Sequence, residues 1–554
     1  LCCCFSVWSG VKKSFMGTSR KLVLIFLAIL LFFLSHPNFI FNNGLSFLAY
    51  FALIPVFICI RVSSIKSLIP LGFLYGCLSY GLLCSWFCSF NPYAIYLGTA
   101  VNGLFMLLLF LALKAFSFLC ARFSFLAMAL VWCLYEYLKT LGFLGFPYGI
   151  LAYTQWKNTL LIQSASWGGI WPLSLLLALS SATVSCLLQR EKSVKEIKLL
   201  LISFGTFFTF LLLSGAFLLK KYNSEEKKSF PIICVQNNTD SNKYGLEVYK
   251  RDAKTLMALT DQALDDFNAK IVVWPETAFV PPLLYNYIER NDTDRYAMVL
   301  NLLDFMQKRD CAFVIGNKIK EKEGGSYKDY NGVLVFDRLL ENIEMPAPLV
   351  YKKIHLVPFA ETFPYKKLFP GIYKALLMGG SNLWDAGSEF SVFNIRGLSF
   401  SCPVCFEDTF GDLCRRFVLE GSDAFINLSN DSWSQSNACQ MQHLSMAVFR
   451  SVENRVPSAR STGSGVTCLI DILGRIKNHS EPFAENYVCG NIETLAEKKL
   501  SFYTLYGDYF VIIELFLLIF MSLLEALKHF TFFRSLLCIL TRGKNITKIE
   551  ECLT

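Results

Sequence analysis

The sequence predicts a polytopic α-helical membrane domain joined to an α/β domain held outside the membrane. Three observations carry that prediction. Hydrophobic residues make up 54% of the 554-residue chain, more than an ordinary soluble protein carries. They are concentrated: residues 21–220 are almost continuous apolar runs, 221–505 read as globular, and a last apolar run follows at about 508–531. Finally, basic residues alternate between one connection and the next, as the positive-inside rule requires of a membrane protein.

A bilayer core takes about 20 apolar residues per helix. About eight stretches approach or meet that length: 21–35, 45–60, 68–88, 94–117, 123–141, 160–188, 198–219 and 508–531. The first is short, but no small-residue cleavage site follows it and further spans do, so an anchor is expected rather than a signal peptide. Lys12, Lys13, Arg20 and Lys21 precede it, and the link HPNFIFNNG after it has no Lys or Arg. Arg61 and Lys66 lie in the next link, FCSFNPYA after that is uncharged, Lys114 and Arg122 flank the fourth, and QREKSVKEIK fills the sixth. The amino terminus is therefore expected in the cytoplasm and the globular part outside it. The resulting division is a cytoplasmic tail at 1–20, a seven-span domain at 21–220 and an extracytoplasmic domain at 221–505. An eighth span at 506–531 then leads to a basic cytoplasmic tail at 532–554.

The net charge of +9 is spread over loops and tails. No basic stripe interleaved with aromatics is present, which argues against a nucleic-acid partner. Of 20 cysteines, those in the outer domain are Cys234, Cys311, Cys402, Cys405, Cys414, Cys439, Cys468 and Cys489. Their spacing does not repeat, and a domain this large buries a core without staples. The LCCCF segment precedes Met16, a possible start, and is assigned no function.

Within 221–505, short β-type runs alternate with helical ones. PIICVQN is followed by a helical stretch at 243–267, and AKIVVWPE by another near 296–309. CAFVIGN, NGVLVFD, GLSFSC, AFINLSND, GVTCLIDILG and NYVCGNI complete the set. Such alternation predicts a layered α/β fold with buried sheets, whose reactive residues collect at strand ends.

Three such ends carry polar residues. In VVWPETAF, Glu276 follows an apolar strand, with Pro275 fixing the backbone. A glutamate is usually a solvated or capping acid, but here burial would raise its pKa and make it a base. In VYKKIHLVPFAETFP, Lys352 and Lys353 alternate faces, so only one can point at a given site. His355 in that apolar stretch is more simply a packed residue than a ligand. In LSFSCPVCFEDTFGD, Cys402 and Cys405 form a CPVC. A zinc half-site lacks a second ligand pair, because the outer domain's three histidines are isolated. A redox couple usually opens a helix after a strand, whereas Cys402 falls at a strand end and is expected to pack inward. Cys405, at the strand-to-turn exit, would need a cation and a base to react.

Together these pieces resemble the Glu–Lys–Cys sites of the nitrilase, or carbon–nitrogen hydrolase, superfamily. The motifs are VVWPETA, KIHLVPFAE, VCFE and INLSNDSW with the later RSTGSG. Their order within this membrane topology is similar to the apolipoprotein N-acyltransferase family, over about residues 21–531. The resemblance implies a nitrilase-like αββα sandwich, with Glu276 as general base, Lys353 as oxyanion stabiliser and Cys405 as nucleophile. It further implies Glu361 as a supporting acid, and Trp274, Phe406, Glu407 and Trp433 around the site. The family commonly has Gly at Ala360 and often Tyr at Phe406, so a hydroxyl is missing here.

The implied reaction moves an acyl chain from the sn-1 position of a phospholipid through a Cys405 thioester to the α-amino group of a diacylglyceryl-cysteine on an apolipoprotein. It needs no metal or cofactor, and a monomer in the bacterial inner membrane is expected to perform it. FVPPLLYNY (279–287) and PYKKLFPGIYKALLMGGSNLW (364–384) have the apolar-plus-basic composition of interfacial arms. Three other readings compete. A tethered amidase would use the same triad. A thiol–disulfide carrier would depend equally on Cys402. A transporter would show ionisable residues inside its spans, where Glu136 is the notable case.

Overall fold

The computed structural model describes residues 17–90, 94–188, 194–239, 244–337, 347–378 and 383–541. Met16, most of the amino-terminal tail, positions 189–193 of the sixth link, positions 379–382 of the second arm and the tail from 542 onward lie outside the described residues.

Among the described residues, seven helices are long and apolar enough to cross a bilayer: Thr18–Ser35, Ile65–Leu83, Ala94–Leu119, Ala121–Leu138, Trp171–Leu188, Val194–Asn223 and Tyr509–Lys528. The expected second span is different. It is a shorter apolar stretch, Ser46–Val62, divided into a 3-10 turn at Ser46–Tyr50 and a nine-residue helix at Ile54–Val62. Pro55 lies in the first turn of that helix; lacking an N–H and with φ fixed, proline starts a helix more readily than it continues one. The helix of the expected sixth span also begins later than the hydropathy suggests, at Trp171, after two single turns at Thr159–Ile162 and Ala165–Gly168.

Helices Ile65–Leu83 and Ala94–Leu119 approach each other closely. A Cβ on Gly76 would meet the Asn102 carbonyl oxygen at 2.5 Å, and one on Gly103 would meet the Cys77 sulfur at 2.6 Å. Small residues of this kind let membrane helices gain packing contacts where no hydrophobic driving force separates lipid from protein. Ionisable side chains inside the bundle are more numerous than the sequence reading allowed, and most are satisfied. Lys114 donates to the Ile60 carbonyl at 2.8 Å, and Glu136 accepts from Ser174, Trp132 and the Leu151 amide. Glu514, in the last span, is buried with no hydrogen-bond partner among the described residues.

The α/β part contains twelve strands: β1 (Lys227–Gln236), β2 (Ile271–Phe279), β3 (Ala312–Glu323), β4 (Ser326–Phe336), β5 (Leu349–Lys352), β6 (Phe393–Ile395), β7 (Leu398–Ser401), β8 (Ala424–Ser429), β9 (Ser458–Thr462), β10 (Cys468–Ile470), β11 (Ile476–His479) and β12 (Asn486–Leu495). They form two six-stranded mixed sheets, ordered β12-β1-β2-β3-β4-β5 and β11-β10-β9-β8-β7-β6. Parallel pairing holds the centre of each, β1-β2-β3 and β7-β8-β9.

The sheets face each other across a core of Ile232, Val273, Val314, Phe400, Ile426 and Ala459. The other face of the first sheet is covered by helices Leu246–Asp266 and Thr293–Gln307. That of the second is covered by Asn437–Asn454, almost wholly buried. This helix shares one continuous core with the membrane helices through Phe449, Val448 and Ala447. The layers are helix, sheet, sheet, helix, and the last helix is welded to the membrane bundle. The eight outer cysteines are all free thiols.

Candidate active site

Three chain segments bring Glu276, Lys353 and Cys405 together. Near its end β2 breaks register between Trp274 and Phe279, with Thr277 in the left-handed region at φ +50°. This irregularity leaves Glu276 buried at 7% exposure. Its Oε1 accepts from the Asn331 side-chain amide at 2.7 Å and faces Lys353 Nζ at 3.5 Å, while Oε2 accepts from the Asn430 amide at 2.9 Å. Lys353 follows β5 directly and is fully buried. Its ammonium lies 2.9 Å from Glu361, whose other contacts are the Asn331 amide at 3.1 Å and the Val357 N–H at 2.8 Å. Lys352 points the other way and pairs with Glu321 at 2.5 Å on the half-exposed side of the sheet.

Cys405 begins a 3-10 turn, Cys405–Thr409, with φ +50°. A non-glycine residue there is held by its surroundings. Glu407 supplies much of that hold. Fully buried, its carboxylate accepts from the Val404, Ile354 and His355 amides at 2.7–2.9 Å and from the Tyr351 hydroxyl at 2.8 Å. It therefore ties the cysteine turn to the segment that carries Lys353, from behind the reactive groups. Cys402 is buried in the inter-sheet core without a bond to Cys405.

The electrostatics separate the carboxylates. Burial raises the Glu276 pKa against the opposing pull of Lys353, with Glu361 adding to the rise. Burial lowers the Lys353 pKa, but Glu361 and Glu276 outweigh it, so the net shift is upward and the ammonium stays charged. Burial, then Glu276 and Asp431, push the Cys405 thiol well above its ordinary range. The resting site thus holds a neutral thiol beside a carboxylate of raised basicity, the arrangement general-base activation requires. Asp431 also faces the thiol, with Oδ1 3.9 Å from Sγ. Burial would raise its pKa, but His443 and Arg460 overcome that and leave it lowered, so Asp431 is the poorer base.

One expected neighbour sits elsewhere. Trp274 does not line the site: its ring packs with Phe305 and Phe313 under the outer helices, and its indole N–H donates to Thr260 Oγ1 at 2.9 Å. The reason is strand alternation: Ile271 and Val273 face the other sheet, so Val272 and Trp274 face away from it. Trp433 lies at the membrane side, edge-on to Trp86 at 5.5 Å. Phe406 packs edge-on to Phe410 at 4.9 Å, and the His355 ring packs tilted against Phe410 at 4.1 Å. Burial, then Lys353, lowers the His355 pKa to about 4.

The sequence reading missed Asn331, which bridges the two glutamates, and a buried ionic group of Asp408, Asp431, His443 and Arg460. The histidine read as isolated is not. It occupies helix Asn437–Asn454, whose polar buried face gave no amphipathic signal. The first half of RSTGSG lies on β9, where Arg460 enters that group and Ser461 crosses to the other sheet by donating to the Val235 carbonyl at 2.7 Å.

The two-sheet part of the chain is of the carbon–nitrogen hydrolase class: the carbon–nitrogen hydrolase family model matches residues 243–497. The model of the apolipoprotein N-acyltransferase N-terminal domain matches residues 27–183. Apolipoprotein N-acyltransferase 1 of Treponema denticola is 38% identical over 521 residues, covering 90% of this chain and 95% of that protein. Apolipoprotein N-acyltransferase 1 of Treponema pallidum is 39% identical, with the same 90% and 95% coverage. The apolipoprotein N-acyltransferase of Geobacter metallireducens is 30% identical, covering 89% and 92%. The chain belongs to the apolipoprotein N-acyltransferase family, and is a membrane-associated acyltransferase of lipoprotein biosynthesis.

Proposed function

We propose that this enzyme N-acylates lipoproteins in two steps on a Glu276–Lys353–Cys405 triad. In the first, Glu276 takes the Cys405 proton as the sulfur attacks the sn-1 ester carbonyl of a phospholipid. Lys353 holds the developing oxyanion, an electrostatic contribution of roughly 3–4 kcal/mol per donor in such sites. The ester C–O bond breaks, protonated Glu276 returns the proton to the leaving glyceryl oxygen, and a lysophospholipid departs from the thioester. In the second, the α-amino group of a diacylglyceryl-cysteine attacks the thioester and gives a proton to Glu276. The C–S bond breaks, the amide forms, and the sulfur is reprotonated. A shared covalent intermediate gives ping-pong kinetics.

One observation carries the reading: a neutral thiol, a buried carboxylate of raised pKa whose charge acts on that thiol, and a buried ammonium 3.5 Å from the carboxylate meet from segments distant in sequence. All three come from one chain, so a monomer suffices. The bilayer would hold residues 21–220 and 506–531, with Ser46–Val62 as a crossing. Residues 221–505 would then lie on the periplasmic face of the bacterial inner membrane, with the tails 1–20 and 532–554 in the cytoplasm. The apolar, lysine-bearing helix Pro370–Met378, which buries none of its residues, would meet the lipid surface there.

The test is mass spectrometry of a lipoprotein amino terminus in cells whose sole enzyme of this kind carries Cys405→Ser. Loss of the amide-linked chain is expected, and continued N-acylation would overturn the proposal. For orientation, Lys322→Cys, in the β3–β4 hairpin, should react with a membrane-impermeant maleimide in intact spheroplasts. Labelling only after lysis would reverse the assignment.

A further inference from the structure

A second set of ionisable side chains meets Cys405, and the acyl-transfer scheme leaves it without a role. His443, Asp408, Asp431 and Arg460 are each no more than 3% exposed. His443 Nδ1 lies 2.7 Å from Asp431 Oδ2, and Nε2 lies 2.7 Å from Asp408 Oδ1 and 3.3 Å from the Cys405 carbonyl oxygen. Arg460 donates to Asp408 and to Asn427, and its Nη2 lies 3.6 Å from Asp431 Oδ2.

This geometry fixes the protonation of the ring. Both nitrogens point at carboxylate oxygens, which accept only, so both carry hydrogen. The group then holds two anions and two cations. A neutral imidazole would set a ring lone pair against a carboxylate and leave a net buried negative charge, which is costly. The charged groups facing the ring come from the turn (Asp408), the loop after β8 (Asp431) and β9 (Arg460). Their combined effect overcomes the lowering by burial and brings the His443 pKa up to about 9.

The ring binds two points of the cysteine turn, the Cys405 carbonyl and the Asp408 carboxylate three residues on. Through Asp431 it reaches the sulfur as well. Asp431 Oδ2 is taken by His443, with Arg460 and the Ser429 hydroxyl near it at 3.6 and 3.3 Å, while Oδ1 faces the thiol. The ring is itself anchored to the membrane segments by its neighbour. Gln442 donates to the Pro37 and Leu83 carbonyls at 2.8 and 2.9 Å and accepts from the Trp86 indole at 3.0 Å.

We infer that His443 is a positioning residue for the Cys405 sulfur, acting through Asp431 and the Cys405 carbonyl to hold the left-handed turn in its attacking geometry. This rests on Cys405 being the nucleophile. Misplacing a reacting atom by about 1 Å costs about 10²-fold in rate, which sets the size of the effect.

The experiment uses the full chain in detergent micelles containing dioleoyl phosphatidylethanolamine. Peptide-resolved mass spectrometry follows acylation of Cys405 and, separately, its alkylation by iodoacetamide across pH. His443→Gln and Asp431→Asn are each expected to slow acylation about 10²-fold. The alkylation midpoints should move in opposite directions: upward in His443→Gln, which removes a cation near the thiolate, and downward in Asp431→Asn, which removes an anion. A purely structural role would lower melting temperature without that opposed shift. Acylation within about two-fold of wild type, or midpoints unchanged or moving together, would overturn the inference. If His443→Gln does not fold, Asp431→Asn decides alone, by a downward midpoint with slowed acylation or its absence. A wild-type enzyme with no acyl group on the Cys405 peptide would sink the nucleophile itself; acylated wild type with unaffected variants would sink only the role of His443.

Discussion

Lys353 and Glu361 form the tighter of the two ion pairs in the site, 2.9 Å apart against 3.5 Å between Lys353 and Glu276. Glu361 thus carries most of the ammonium's charge, and Glu276 keeps the basicity that burial gives it. With Glu361→Gln the ammonium would be left to Glu276 and would pull its pKa down. Thioester formation should slow about 10²-fold, the scale of a general-base contribution. Because ionised Glu276 is the active form, the acidic limb of the acylation rate should move to lower pH. Pre-steady-state acylation over a pH series checks this, and an unmoved limb would assign Glu361 a different role.

Adjacent lysines should behave oppositely. Lys352→Ala breaks a partly exposed pair with Glu321, worth about 0–1 kcal/mol, and should leave turnover near wild type. Lys353→Met removes the fully buried cation between two carboxylates. It should lower acylation by about 10²–10³-fold and stability by about 3–5 kcal/mol, as breaking a buried pair does. Parallel turnover and thermal melts separate the two effects.

Trp274→Phe should affect folding and not chemistry. The indole N–H to Thr260 and part of the packing under the outer helices are lost, a cost of about 1–2 kcal/mol. Acylation of Cys405 in the folded fraction should stay within about two-fold. A large rate defect at unchanged melting temperature would place this ring nearer the reaction than its contacts do.

His443 makes stability depend on alkaline pH. Its folded pKa of about 9 stands above the ordinary 6.5, so the stabilisation is complete below about pH 6.5 and is lost as pH rises through about 9. The span corresponds to about 3 kcal/mol. Melting temperatures between pH 6 and pH 10 should fall more steeply for wild type than for His443→Gln; equal slopes would contradict the doubly protonated ring.

How legible each part was follows from how local its cause is. Strands β1 to β4 and β8 were readable because they are apolar runs, whereas β9 reads Ser-Ala-Arg-Ser-Thr and is buried throughout. Its polar side chains are satisfied by partners on other strands, which no window of the sequence contains. Helix Asn437–Asn454 escaped for the same reason: Gln442, His443, Arg450 and Glu453 are all buried in it. Motif resemblance put Trp274 at the site; alternation along β2, visible only once the facing sheet is known, turns it outward.

By itself the sequence determined most of the long apolar helices, the layered α/β class and the Glu276, Lys353 and Cys405 candidates. Bilayer thickness acts on one continuous stretch of chain, and strand-end motifs are contiguous. The tertiary structure alone decided the pairings: Asn331 between Glu276 and Glu361, Asn430 on Glu276, Glu407 behind the cysteine turn, and His443 between Asp408 and Asp431. Charges and hydrogen-bond donors act over a few ångströms of space, and the fold alone sets which residues share that space.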